Sequence, residues 1–350
     1  MFGYHIGVSL GLSISFEELA KSEERLSRER YHDLIGASMS MQAVYQMIDK
    51  VATSKAPILI TGETGTGKEL CAEAIYKESQ QADKPFIICN CAAITDSLRE
   101  SHLFGHVKGA FTGAVNDQTG LVSQAKGGTL FLDEIGELPL LTQATLLRFM
   151  QTKTFSKVGS HKIEQLDVRF ICATNRNLLA EVKAGRFRED LYYRISTIDL
   201  KLPALRERGK DILLLSQFFL LKLAKEEQKD FQGFSAEAEK KLLGYEWPGN
   251  VRQLQNIIYT VVVLNQGGVV TAEMLNIIPP DSCNSLNNKD NYLSNQVISS
   301  DNVIRPFREI EEKVIREAID YCEGNITRAA KLLQIGKTTI FNKLKQYNNK

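Results

Sequence analysis

One lysine, two acids and the glycines around them are the residues of this chain best suited to chemistry. The apolar run Ile58-Leu59-Ile60 leads into Gly62-Glu63-Thr64-Gly65-Thr66-Gly67-Lys68-Glu69, and a helical stretch follows. This is the phosphate-loop pattern GxxxxGK in its required strand–loop–helix setting. The glycines let backbone N–H groups turn inward around phosphates, and the helix N-terminus adds the positive end of its dipole. Lys68 is expected to reach the β- and γ-phosphates. The generic motif continues with a Ser or Thr for Mg²⁺, and this chain has Glu69 there. The second constellation is Gly127-Gly128-Thr129-Leu130-Phe131-Leu132-Asp133-Glu134, an apolar run ending in two acids. Such a run places its acids at a strand's C-terminal edge beside the phosphate loop. Asp133 is expected to hold Mg²⁺ directly or through water, and Glu134 to orient and deprotonate an attacking water.

The elements that must position these groups are legible as an alternation. From Leu34 to about Pro203, the runs Ile58-Leu59-Ile60, Phe86-Ile87-Ile88, Thr129-Leu130-Phe131-Leu132 and Val168-Arg169-Phe170-Ile171 alternate with helical stretches. Continuous apolar strands of this kind are buried on both faces, as in parallel α/β sheets. Residues Asp211 to Asn265 read as a smaller all-helical piece. Pro279 to Pro306 is rich in Asn, Ser and Asp with few large apolar residues, the composition of a linker. At the start, Phe2, Tyr4, Ile6, Val8, Leu10, Leu12 and Ile14 alternate with small or polar residues, a period-two strand followed by a charged helical stretch, Phe16 to Arg30. A lone strand cannot bury its face. It is either the remnant of a sensory domain or a strand that docks elsewhere on the chain.

The hexapeptide Gly109-Ala110-Phe111-Thr112-Gly113-Ala114 resembles the GAFTGA signature loop of sigma-54-dependent transcriptional activators, a AAA+ subclass. The resemblance runs from about Asp33 to the C-terminus, and in that family the phosphate loop also ends in Lys-Glu, as Lys68-Glu69 does. It implies an ATPase using ATP and Mg²⁺ that remodels RNA polymerase carrying sigma-54. It further implies sigma-factor contact through Gly109 to Ala114, with Phe111 and Thr112 at the loop tip. Asn90 matches the family's nucleotide switch residue, and Ala173-Thr174-Asn175-Arg176 its sensor I, with Thr174 and Asn175 near the γ-phosphate. Gly185 to Arg194 matches the arginine-finger segment, so Arg188 and Arg194 are expected to reach a neighbouring subunit's nucleotide. Trp247 to Leu254 matches sensor II, with Arg252 on the γ-phosphate in cis. Fingers in trans imply a ring, a hexamer in the family, with a dimer at rest. One departure is His102, where the family carries Glu at the base of the GAFTGA loop.

Between Gly324 and Lys350 lie Arg328, Lys331, Lys337, Lys343, Lys345 and Lys350 with no acid, a local electrostatic footprint for nucleic acid on a chain whose net charge is only +1. Asn325 is a candidate N-cap, and Ile326, Ala329, Ala330 and Leu333 repeat at helical spacing. After Ile335-Gly336, Ile340, Leu344 and Tyr347 repeat again, as in a helix-turn-helix. The segment resembles the Fis-type DNA-binding domain of the same family. That implies Lys337, Thr339, Asn342 and Lys343 on double-stranded DNA upstream of a promoter, and dimer pairing through Phe307, Ile310, Val314 and Ala318.

The expected fold is therefore α/β: a AAA+ P-loop ATPase core (33–203) with an all-α lid (204–278), a linker (279–306) and a C-terminal all-α helix-turn-helix domain (307–350), preceded by the strand and helix of 1–32. Six cysteines without metal-ligand spacing read as reduced thiols, and His102 and His106 as structural. The chain has no run of ~20 apolar residues and no signal-peptide start, which points to a cytoplasmic protein without membrane contact. Within the family, Lys157 to Lys162 and Tyr245 to Asn256 resemble quorum-sensing phosphorelay regulators of the LuxO type, whose receiver domain has no counterpart in these residues. A AAA+ replication initiator also joins a phosphate loop to a helix-turn-helix, but gives no reason for GAFTGA. A nucleotide-gated DNA-binding regulator without turnover is opposed by intact Lys68, Asp133, Glu134, Arg188 and Arg194.

Overall fold

The computed structural model describes residues 28–93 and 96–277 and, toward the C-terminus, residues 315–316, 318–319, 321–322, 325–333, 335–337, 339–341 and 343. The alternating strand at Phe2–Ser15, the linker, the stripe at Phe307, Ile310 and Val314, and Asn342 lie outside them. The chain divides into two compact units, 1–284 and 285–350.

The first unit is built on a five-stranded sheet. Its elements in order are α1 (Met39–Val51), β1 (Ile58–Thr61), α2 (Lys68–Lys77), β2 (Phe86–Asn90), α3 (Asp96–Phe104), β3 (Thr129–Asp133), α4 (Leu140–Thr152), β4 (Arg169–Thr174), α5 (Leu178–Lys183), α6 (Glu189–Ile195) and β5 (Ile198–Lys201). The strand order is β5-β1-β4-β3-β2, and every pair is parallel. The continuous apolar runs resolve into two faces with a period of two. Leu59, Leu130, Leu132 and Cys172 enter one core, while Ile58, Ile60, Phe131, Ile171 and Ala173 enter the other. Because both faces of the central strands are covered, the alternation is hidden in sequence, and the buried Arg169 at the start of β4 is accommodated by donating to the Val51 carbonyl at 3.0 Å. Helix α1 closes the second face with Met41, Val44, Tyr45, Ile48 and Val51 at helical spacing, and the Ser38 side chain caps its N-terminus by accepting from the Met41 N–H.

The lid follows as α7 (Asp211–Glu226), β6 (Asp230–Phe234), α8 (Ala236–Leu243), α9 (Asn250–Leu264) and β7 (Gly267–Val270). Its helices pack around Trp247, Leu254, Ile258 and Leu220. The segment 230–234 reads as helical in sequence but forms a strand paired in parallel with β7. The reason is local. Gly233 has φ +136°, a value for glycine, and the register shifts between Phe231 and Gly233. A two-stranded ribbon thus accompanies the helices of the lid.

The lid is tied to the core at α1. The Asp211 carboxylate, only 2% exposed, accepts from the Ala37 N–H (2.8 Å), the Ser38 N–H (2.9 Å) and the Ser38 hydroxyl (2.6 Å). Gly36 permits this approach, since a Cβ there would stand 2.7 Å from Asp211 Oδ2.

In the second unit α10 (Ile326–Leu332) begins with the Asn325 side chain accepting from the Arg328 N–H at 3.1 Å. Ala330 and Ile340 pack with Ile315, while Lys337, Thr339 and Phe341 are exposed. Among the described residues no helix is long and apolar enough to cross a membrane.

Replacing Asp211 with Ala removes the buried carboxylate that accepts all three of these part-buried hydrogen bonds and is expected to cost about 2–3 kcal/mol of stability. Urea denaturation followed by the emission of Trp247, the one tryptophan of the chain, measures this directly.

Candidate nucleotide site and partner loop

Three strand ends converge on the loop between β1 and α2. Gly65 and Gly67 hold φ +81° and +100°, conformations an L side chain rarely adopts, so the loop can fold back and start α2 with its amides inward. Lys68 is 7% exposed, and its ammonium donates to the carbonyls of Gly62 (3.1 Å) and Glu63 (3.3 Å). Its third neighbour is Glu134 Oε1 at 3.7 Å.

Asp133 ends β3, and Glu134 follows at φ +51°. That left-handed residue turns the chain out of the sheet and aims its carboxylate back over the strand edge. Glu134 Oε2 also accepts from the Asn175 N–H at 3.2 Å, so the acid lies between β4's end and Lys68. Asn175 Nδ2 in turn donates to Thr64 Oγ1 at 2.9 Å, joining the end of β4 to the loop. Thr174 is buried, and its hydroxyl accepts from the Arg176 N–H. Burial and the neighbouring Glu134 charge push the Asp133 carboxyl above its ordinary range. A cation between this acid pair and the phosphate loop would relieve both effects, so the donor set fits Mg²⁺. Glu69 is exposed in the first turn of α2.

Asn90 lies next to Asp133 in the sheet register. Its side chain accepts from the N–H groups of Ala92 (2.9 Å) and Ala93 (3.2 Å) rather than meeting Glu134. Arg188, the N-cap residue of α6, forms a two-pronged pair with Asp190 (3.0 and 2.6 Å), which holds that carboxyl below its usual range. Arg194 donates to the Met150 carbonyl at 3.0 Å.

The lid completes the site from above, and beyond the expected Arg252 it does so through Asn250, Arg206 and Arg208, whose roles the sequence did not announce. Asn250 is fully buried at φ +51° and uses every polar atom of its amide. Its Nδ2 donates to Glu63 Oε2 (3.0 Å) and the Thr64 carbonyl (3.1 Å), and its Oδ1 accepts from the Leu205 N–H (2.8 Å). Arg206 grips Glu63 through both oxygens, and buried Arg208 donates to the Thr66 carbonyl at 2.9 Å. Glu63 is consequently held down to about 2 by Arg206 and Asn250. Its depressed value means that this contribution is present above the ordinary 4.5 and is lost as pH falls toward 2. Arg252 is exposed beside Thr64 in a cleft of about 440 Å³ with Gly249, Asn256 and Thr260. The available signal was the Pro248-Gly249-Asn250 turn ahead of an apolar helix, with Asn the residue that best tolerates a left-handed backbone.

The GAFTGA segment leaves the core from α3. Gly109 and Gly113 hold φ +82° and +105° with open space around them, and the Gly109 N–H closes the loop on the Ala114 carbonyl at 2.9 Å. Thr112 is exposed, Ala110 half-buried and Ala114 buried. Phe111 is half-buried, its ring edge-on to His106.

Asn250→Ala removes the lid's amide links and puts a Cβ residue with no compensating bonds in the left-handed region. It is expected to lose about 1–3 kcal/mol of stability and to weaken binding of a fluorescent ATP analogue. Asn250→Gly, which keeps the backbone, separates the lost bonds from the strain.

Residues 34–201 match the sigma-54 interaction domain, 206–285 the AAA+ ATPase lid domain, and 306–347 the Fis family of bacterial regulatory proteins. The regulatory protein LuxO of Vibrio cholerae serotype O1 is 51% identical over 333 residues, 94% of this chain and 72% of that protein. The regulatory protein AtoC of Escherichia coli K12 is 42% identical over 340 residues, 97% of this chain and 73% of that one. Among solved structures, NtrX from Brucella abortus in complex with ATP is 30% identical with TM-score 0.65, covering 97% of this chain and 74% of that one. A phosphate loop facing an acid pair under a docked lid, a GAFTGA loop and a Fis-type helix-turn-helix occur here on one chain. It belongs to the sigma-54-dependent transcriptional activators, DNA-binding regulators that bind and hydrolyse ATP to act on sigma-54 RNA polymerase.

Proposed function

We propose that hydrolysis runs at the convergence of β1, β3 and β4, and that its stroke moves the GAFTGA loop against sigma-54 to open promoter DNA. The observation that carries this reading is the position of Glu134, held between the Lys68 ammonium and the Asn175 amide. A carboxylate so placed can take the proton of a water attacking the γ-phosphorus in line, while the bond to the β–γ bridging oxygen breaks and ADP departs. Lys68 and the backbone amides of 62–69 balance the phosphate charge, and Thr64, Thr174, Asn175 and Arg252 surround the γ-phosphate. Mg²⁺ would be held by Asp133, directly or through water, and would screen charge between the phosphates. Asn90 is one strand from Asp133 and would exchange its own-turn hydrogen bonds for Glu134 as the nucleotide state changes.

Arg188 and Arg194 are assigned to a neighbour's nucleotide, in a homo-oligomeric ring, a hexamer that forms from a resting dimer. In the protomer Arg188 is neutralised by Asp190, so phosphate from the adjacent subunit must compete with that exposed pair. The competition is feasible because exposed ion pairs contribute little. The working division is a core over 33–203, a lid over 204–278, a linker over 279–306 and a DNA-binding domain over 307–350. Lys337, Thr339, Asn342 and Lys343 meet upstream DNA, and the cytoplasm is the site of action.

ATPase rate per subunit, measured against protein concentration, tests the reading. Wild type is expected to climb with concentration. Arg188→Ala is expected to fall by about 10³, and Glu134→Gln to bind ATP without turnover. A low rate that ignores both concentration and Arg188→Ala would instead indicate a nucleotide-gated DNA binder.

A further inference from the structure

We propose that His106, pinned by Ser101, is a positioning residue that stows Phe111 against the base of the GAFTGA loop and releases it for sigma-54. The proposal rests on the reading of that loop as the sigma-54 contact. The Phe111 and His106 ring centroids are 5.0 Å apart with planes at 62°, an edge-to-face contact. An aromatic ring intended for another protein is thus partly engaged with its own chain. Sigma-54 must compete for it, and an edge-to-face contact shifts such an equilibrium by about two- to tenfold.

His106 is suited to be the fixed partner. It is 7% exposed, and its Nδ1 shares a hydrogen bond of 2.7 Å with the buried Ser101 Oγ. Its backbone is held on both sides. Gly105 and His106 pair with Thr119 and Gln118, while the Val107 N–H donates to Val158 and the Val158 N–H to Gly105. The segment carrying Phe111 is different. Gly109 and Gly113 bracket it, and neither has an atom within 4 Å of where a Cβ would stand. The loop can therefore swing about its glycines while His106 stays in place.

Ser101 also connects the seat to the phosphate edge. It lies in α3, where Arg99 donates to the carbonyl of Glu137, and the Glu137 N–H donates to the Glu134 carbonyl at 2.9 Å. A change at Glu134 thus has a bonded route to the helix that pins His106. Movement of Ser101 would loosen the imidazole, and with it the hold on Phe111.

The test is titration of fluorescently labelled sigma-54 with the full chain, nucleotide-free and with ADP plus aluminium fluoride. Without nucleotide, His106→Ala and Ser101→Ala are expected to bind about two- to tenfold tighter than wild type. His106→Phe keeps a ring for Phe111 and is expected to stay near wild type. Nucleotide-free affinities of the two alanine variants equal to wild type or weaker would overturn the proposal. Ser101→Ala removes a single oxygen and stands in if His106→Ala does not fold, as judged by Trp247 emission. Phe111→Ala separates the two layers. If it loses binding in both nucleotide states, unchanged Ser101 and His106 variants refute only the seat. If it retains binding, the loop is not the contact, and the seat fails with it.

Discussion

The carbonyl of Gly249 stands 2.4 Å from where a Cβ at residue 65 would be. No side chain fits in that gap, so the first turn of the lid helix and the phosphate loop can meet only if residue 65 is glycine. The Val251 N–H then reaches the Gly65 carbonyl at 3.0 Å, and Asn250, one residue earlier, bonds to Glu63 and Thr64. The same glycine holds a positive φ, needed to turn the loop's amides inward. One position thus serves both the phosphates and the closure of the lid above them. A lid anchored this way senses small displacements of the loop, because the contacts are short hydrogen bonds rather than compliant apolar packing.

Much of this architecture was legible because the chemistry of the site requires particular residue types in order. The loop glycines and Lys68 follow the end of β1, the Asp133–Glu134 pair stands at the end of β3, and parallel strands collect their C-terminal ends at one edge. The GAFTGA hexapeptide carried the function, since composition alone would leave Phe111 as an ordinary core residue. Two kinds of feature escaped. The strand at 230–234 depends on Gly233 at a conformation that no periodicity announces, and on a partner more than thirty residues away. Asn250 and Asp211 are polar groups made useful by tertiary contacts with the loop and with α1. Asn250 lies within the segment that resembles sensor II, but the motif singles out Arg252, and Asp211 reads in isolation as a helix-start acid.

Within the protomer the polar side chains fall into two separate sets. Lys68, Glu134, Asn175 and Thr64 form a closed set within one chain, whereas Arg188 is bonded to its own Asp190 and Arg194 to the Met150 carbonyl. A cation already neutralised by an exposed acid costs little to redirect. Redirecting Arg188 toward another anion would therefore break only an exposed pair.

Most of what joins lid to loop is main chain on at least one side: the carbonyls of Thr64, Gly65 and Thr66 on the loop, and the amide of Val251 on the lid side. Main-chain atoms persist when side chains drift over evolutionary time. The joint therefore rests on few side chains beyond Asn250, Arg206 and Arg208. Lid surfaces can diversify, for signals or for neighbours, without retuning the joint that the motor turns on.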